Sequence, residues 1–133
     1  AASDVYKRQT PDCLFISIHQ NSYPYPNNTG TQVFYSPNHP ESQALAAAIQ
    51  QSVIHLIQPQ NTRKVKKSGT EIYLLYQAKT PAVMVECGFM SNAQETEKLR
   101  TEAYQNELAL SIFYGVLSYL NGIGTADATP AAQ

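Results

Sequence analysis

Two short, mostly apolar runs, Cys13-Leu-Phe-Ile-Ser-Ile18 and Pro81-Ala-Val-Met-Val85, limit what this chain can fold into. Neither shows the strict polar–apolar alternation of a half-exposed strand. Each therefore predicts a strand buried on both faces, as in a helix-covered parallel sheet. Both runs lead into chemically capable residues, the first into His19-Gln20-Asn21 and the second into Glu86-Cys87-Gly88. Ligands of open α/β sheets gather outside the carboxyl ends of strands, so His19 and Glu86 are expected on one functional edge.

The segments between supply further elements. Asn21 to Gly30 (NSYPYPNNTG) is crowded with turn formers and reads as a loop. Thr31 to Ser36 (TQVFYS) alternates and predicts a second strand nearer an edge. Pro40 suits a helix start, and Leu45, Ile49, Val53 and Leu56 recur at helical spacing until Pro59. After the polar connection Gln60–Gly69, Thr70 to Tyr76 (TEIYLLY) predicts a third strand and Ala82 to Val85 a fourth. Asn92 with Glu95 has the form of a capping box. Thr101 opens a last helix with Leu108, Ile112, Gly115, Val116 and Tyr119 on or near one face, closing at Asn121-Gly122. The predicted fold class is α/β, a mostly parallel central sheet flanked by helices on both faces.

A length of 133 residues suits one domain, and 43% hydrophobic against 14% charged residues is enough for one core. The net charge of −1 and pI of 6.3 speak against nucleic acid as a partner. The one basic run, Arg63-Lys64-Val65-Lys66-Lys67, reads as a solvated loop or the approach to a strand. Cys13 and Cys87 lack metal-type spacing and flank core strands, so they read as buried thiols, with a bridge between them left open. No run nears the ~20 apolar residues of a membrane span, so no transmembrane segment is expected. Ala1–Gln9 has no apolar stretch of a signal peptide.

A histidine and a carboxylate at one strand edge allow three chemistries. They are zinc-assisted hydrolysis, a metal-free acid–base pair, and a buried pair that merely satisfies itself. Other candidates read as structural. His39 in Asn38-His-Pro-Glu41 belongs to a helix start, and His55 beside Leu56 to a helix flank. Tyr23 and Tyr25 could stack on a sugar or pack within their own loop. Ser17 has no nucleophile-elbow context. Asn21 and Asn92 are suited to orienting loops through side-chain bonds.

The stretches Phe15-Ile-Ser-Ile-His-Gln-Asn21 and Pro81-Ala-Val-Met-Val-Glu-Cys-Gly-Phe-Met-Ser-Asn92 resemble two signatures of the zinc-dependent N-acetylmuramoyl-L-alanine amidases, especially the spore-germination branch. Tyr35-Ser-Pro37 and Ile72-Tyr-Leu-Leu75 also fit, and the likeness runs from about Thr10 to Asn121. The resemblance implies cleavage of the amide between N-acetylmuramic acid and L-alanine in peptidoglycan, outside the cytoplasm in cell wall or spore cortex. It implies that His19 is a zinc ligand and that Glu86 is the catalytic glutamate that activates water. Cys87 and Gly88 then pack behind Glu86, with Gly88 permitting the turn.

Members of that family bind zinc through two histidines and one glutamate, and two of these three ligands have no counterpart here. The chain is accordingly expected to be N-terminally truncated. Residues 1–9 form a non-family leader, residues 10–122 the C-terminal two-thirds of one amidase catalytic domain, and residues 123–133 a disordered tail. Two rival readings follow: a catalytically inactive fragment that at most binds glycan or another protein, and a metal-free hydrolase using His19 and Glu86.

Overall fold

The structure is a computed structural model that describes residues 13–122. The expected leader and tail lie outside the described residues. Strand β1 (Phe15–Asn21) is followed by β2 (Gln32–Tyr35), helix α1 (Ser42–Leu56), β3 (Lys66–Lys67), the single-turn helix α2 (Tyr73–Tyr76), β4 (Ala82–Phe89), α3 (Ala93–Leu99) and α4 (Glu102–Leu120). The α/β class is as predicted.

The sheet order is β1-β4-β2-β3. β1 and β4 pair in parallel. β2 and β3 are also parallel, joined through α1, because parallel neighbours need a long crossover. β2 runs antiparallel to β4, so the two parallel pairs meet back to back. β4 is buried along its whole length.

Period-two geometry sends alternate side chains of β4 to opposite faces. Val83, Val85 and Cys87 join Val33, Leu45, Ile49, Val53, Leu99, Leu108 and Ile112 in the main core. Each large aliphatic side chain withdrawn from water there contributes about 1.5–3 kcal/mol. Ala82 and Met84 point the other way, into a smaller cluster with Leu75 and Ala78, flanked by Phe15, Phe34 and Ile72. Helices thus lie on both faces, but the second face carries only the single turn of α2.

α1 adds a polar device to its apolar face. β3 is only two residues long and meets β2 at Phe34 and Tyr35, leaving earlier backbone groups of β2 without ladder partners. The buried Gln50 side chain supplies them, accepting from Val33 N at 2.9 Å and donating to Thr31 O at 3.0 Å. An unpaired buried backbone group would cost about as much as a lost hydrogen bond, so a glutamine inside an apolar helix face is accounted for.

Four expectations need correction. β1 is not buried on both faces: it stands at the edge of the described sheet beside β4 alone, with Ile18 and His19 exposed and none of its residues fully buried. Thr70–Tyr76 is not a strand: Lys66–Lys67 already occupy the edge of β2, and Ile72 O instead accepts from Leu75 N and Tyr76 N in the turn of α2. Pro40 precedes the first helical residue, Ser42, by two positions. Cys13 is only half-buried, and both cysteines are free. The helix starts at Asn92 and Thr101 are confirmed by side-chain caps to Glu95 N and Tyr104 N.

α1 and α4 meet closely at Gly115. A methyl group added there would stand 2.5 Å from Ile49 Cα and 3.0 Å from Ala48 O, both backbone atoms that no rotamer change can move. Gly115→Ala gains up to about 1 kcal/mol of helix propensity but forces the helices apart, and overpacking of this kind costs about 1–3 kcal/mol. The variant should therefore melt several degrees lower by circular dichroism. An unchanged or higher melting temperature would show that the α1–α4 contact is looser than described.

Candidate active site

The parallel register sets His19 directly opposite Glu86, and the antiparallel register sets Gln32 opposite the same Glu86 from the other side. Residues in register share a face, so the carboxylate stands between an imidazole and an amide. The sequence expectation that His19 and Glu86 occupy one edge is met at the level of strand pairing. Gln32 was not foreseen, because the partner across β4 depends on sheet order.

Glu86 is only 9% exposed, whereas His19 is exposed. One carboxylate oxygen, Oε2, is buried and meets no hydrogen-bond donor among the described residues. Burial pushes the Glu86 carboxyl above its ordinary value, and the positive charge available on His19 pulls it partly back. A buried carboxyl with a free oxygen is poised to trade a proton with something that enters from solvent.

Just beyond Glu86 the ladder breaks. His19 pairs with Glu86 but Asn21 pairs with Phe89, so Cys87 and Gly88 together oppose Gln20 in a β-bulge. Cys87 turns into the main core, where burial first, and then the neighbouring Glu86 charge, push its thiol up to about 11. It is therefore an inert packing residue rather than a nucleophile. Gly88 does not have the left-handed backbone of a turn glycine, so its expected turn-forming role is replaced by one of space. A Cβ there would lie 3.0 Å from Glu95 Oε2 and 3.2 Å from Leu99 Cδ1.

The bulge brings Phe89 onto the Glu86 face. The Arg63 guanidinium stacks on its ring at 4.5 Å from the centroid. The same guanidinium donates to Thr29 O at 2.6 Å, to Gln32 Oε1 at 3.3 Å and to Asn28 Oδ1 at 3.4 Å. Arg63, read from sequence as part of a solvated basic run, is instead a half-buried clamp between the 22–30 loop and the strand beside Glu86. Lys66 and Lys67 are exposed, as expected for that run.

The loop after β1 is latched to the segment after β4 as well. Tyr23 N donates to Ser91 Oγ at 3.4 Å, and Asn92 Nδ2 donates to Pro26 O at 2.8 Å. Asn92 thus has the orienting role expected of it. Tyr23 and Tyr25 are exposed with ring centroids 5.5 Å apart. His39 accepts from Glu41 N through Nδ1 just before α1, and His55 lies exposed on α1, so neither joins Glu86.

The edge of this helix-covered sheet thus sets a buried carboxylate beside an exposed imidazole. Comparison with known proteins gives the class. Residues 3–118 match the N-acetylmuramoyl-L-alanine amidase family, and the chain belongs to that family. The match begins inside the stretch expected to be a leader. A germination-specific N-acetylmuramoyl-L-alanine amidase of Bacillus subtilis (strain 168) is 35% identical over 111 residues, covering 84% of this chain and 46% of that protein. The CwlD amidase from Clostridioides difficile, solved in complex with the GerS lipoprotein, superposes with a TM-score of 0.79 at 36% identity, covering 82% of this chain and 55% of that one. An N-acetylmuramoyl-L-alanine amidase from Clostridium difficile 630 gives a TM-score of 0.80 at 28% identity, covering 91% of this chain and 66% of that one. The chain thus spans about half the length of the germination-specific relative.

The family is in general zinc-dependent. A catalytic zinc takes three protein ligands. Among the described residues no three His, Cys, Asp or Glu side chains are grouped to hold a metal ion. His19 supplies one imidazole beside Glu86, so the described residues do not by themselves fit a complete zinc site.

The raised Glu86 pKa has a consequence for stability. The folded chain holds this proton more tightly than the unfolded chain, so the associated stability is fully present at low pH. It is lost as pH rises through the folded pKa. Glu86→Gln removes the buried charge and should melt a few degrees above the wild type at pH 7. That advantage should fade below about pH 4, where the wild-type carboxyl is protonated in both states. Melting curves of the two proteins across this range decide the matter, and coincident curves at pH 7 would mean that burial of the carboxylate carries no cost.

Proposed function

We propose that this chain carries the Glu86 half of a peptidoglycan amidase centre that hydrolyses the amide between N-acetylmuramic acid and L-alanine. The observation that carries this reading is the buried Glu86 carboxylate, set in register with His19 and with Oε2 free of any described donor. A carboxylate retained only for structure would have both oxygens satisfied, since an unmet buried acceptor costs about 1–3 kcal/mol. Membership in the amidase family and the likeness to germination-specific relatives support the substrate class.

In this mechanism Glu86 takes a proton from the water that attacks the amide carbonyl. It then delivers that proton to the departing alanine nitrogen, so the C–N bond breaks as an amine leaves and a lactyl carboxylate remains. The carboxyl is suited to both halves of the shuttle because burial raises its proton affinity towards the working range of a general acid and base. Gln32 stands opposite Glu86 on β2, beside the carboxylate's strand. A family zinc, when bound, would polarise the carbonyl and acidify the water. His19 would be one of its ligands, and the remaining ligands would come from outside the described residues. The place of action would be the cell wall or spore cortex. No helix among the described residues is long and apolar enough to cross a membrane.

The test is turnover of purified muropeptides, read by mass spectrometry as a new lactyl carboxylate and a new N-terminal alanine, with zinc content measured in parallel. Glu86→Gln should lower kcat by about 10²–10⁴-fold, the usual range for losing a general acid–base group. Full-rate cleavage by that variant would overturn the assignment of Glu86. A wild-type chain that retains no zinc and releases no alanine would instead support the inactive, glycan- or protein-binding fragment.

A further inference from the structure

The bulge leaves β4 in need of support at the position that aims Glu86. Beyond Glu86 the register with β1 skips Cys87 and Gly88 and resumes at Phe89 opposite Asn21, where Met90 N donates to Asn21 O at 2.7 Å. Between these points the strand is tied by side chains from elsewhere. Thr31 Oγ1 donates to Cys87 O at 2.9 Å, and Phe89 N donates to Glu95 Oε2 at 2.8 Å. The other Glu95 oxygen, Oε1, accepts from Gly30 N at 2.7 Å, at the end of the loop that follows His19. One carboxylate therefore joins the exit of the Glu86 strand to the exit loop of the His19 strand.

This use of Glu95 is not that of a helix cap. In a capping box the glutamate would return to the Asn92 backbone N–H. Here Glu95 N donates to Asn92 Oδ1, which is the first half of the box, while the Glu95 carboxylate turns away to two amides outside the helix. Gly88 makes room for it, and Gly30 supplies the second amide. Gly88 has no Cβ to crowd Glu95 Oε2, and Gly30 takes the left-handed φ of 88° while its N–H donates to Glu95. Carboxylate bonds to backbone N–H groups are short and charge-assisted, so one glutamate can fix both segments.

We propose that Glu95 is a positioning residue for the amidase centre, acting on Glu86 through the bulge at Cys87–Phe89 and on the His19 side through Gly30. It touches no reacting atom. The inference rests on the amidase reading for its kinetic consequence, but its structural consequence is independent of that reading.

The experiment compares the full chain with Glu95→Gln and Gly88→Ala, singly and together. Glutamine keeps the size but presents an NH₂ to one of the two amide donors. Gly88→Ala pushes the carboxylate aside while leaving its charge. Each single variant should speed hydrogen exchange at the Phe89 and Gly30 amides at least tenfold. On muropeptides, at a temperature well below melting, each should lower kcat about tenfold with KM changed less than twofold. The double variant should lose little more than either single one, since both break the same clamp. Unchanged exchange at Phe89 and Gly30 would overturn the clamp. Faster exchange with kcat unaltered would reduce Glu95 to a structural tie and overturn its positioning role. If the wild type turns over no muropeptide, the amidase reading fails on its own, and the exchange rates with their non-additivity still decide the clamp.

Discussion

Glu86 is the constraint around which the described fold is organised. A carboxylate on a strand buried from end to end is driven towards water by its own desolvation, and the strand that bears it must be fixed well enough to prevent the escape. The apolar side chains on the opposite face do most of that fixing. Val83, Val85 and Cys87 are set in the core of α1, α3 and α4, so β4 cannot rotate to expose Glu86 without lifting three buried side chains. A slip of one residue would exchange the faces and bury Val85 where Glu86 stands. The main core thus specifies the site from behind.

Near the site the support changes from apolar to polar. Regular pairing with β1 stops at the bulge, and the groups it releases are taken up by Thr31, Glu95 and the stacked Arg63–Phe89 pair. Thr31 is fully buried and also bonded to Gln58, Gln50 and Asn61. The bonds of Thr31 and Arg63 in this network join segments far apart in the chain, and Glu95 reaches both Phe89 nearby and the distant Gly30. Such a network fixes position at the cost of tolerating no missing member, because an unmatched polar group in a low-dielectric interior is expensive. That suits an edge where one acid must face one histidine across neighbouring strands.

The legible parts of the sequence were those governed by local periodicity and caps. The strands β1 and β4, the long helices and the caps at Asn92 and Thr101 all follow from patterns within a few residues. The apposition of His19 and Glu86 followed as well, because strands of one parallel sheet end on the same edge, although β1 lies at the rim of the described sheet and is not buried on both faces. Thr70–Tyr76 was misread because β-forming residues need a free sheet edge, and Lys66–Lys67 had taken it. Gln32, Arg63 and Glu95 were not legible as site residues. The first depends on which strand lies beyond β4, the second on a loop folding back over Phe89, and the third on a carboxylate abandoning its own helix cap.

On the proposed amidase reading, the exposure of His19 beside the burial of Glu86 separates two tasks. A metal ligand or a hydrogen-bond donor to substrate must be reachable by the incoming group, and an exposed imidazole at the rim of β1 is. A proton shuttle gains from the reverse, since exclusion of water raises the proton affinity of a carboxylate and strengthens what it does next. Neighbouring strands in register bring the two environments side by side without either side chain changing face. β1 forms the rim and β4 the interior, so the difference between the residues comes from where their strands lie in the sheet order rather than from the residues themselves. The same histidine on β4 and the same glutamate on β1 would exchange their environments, and the buried member would no longer be the acid.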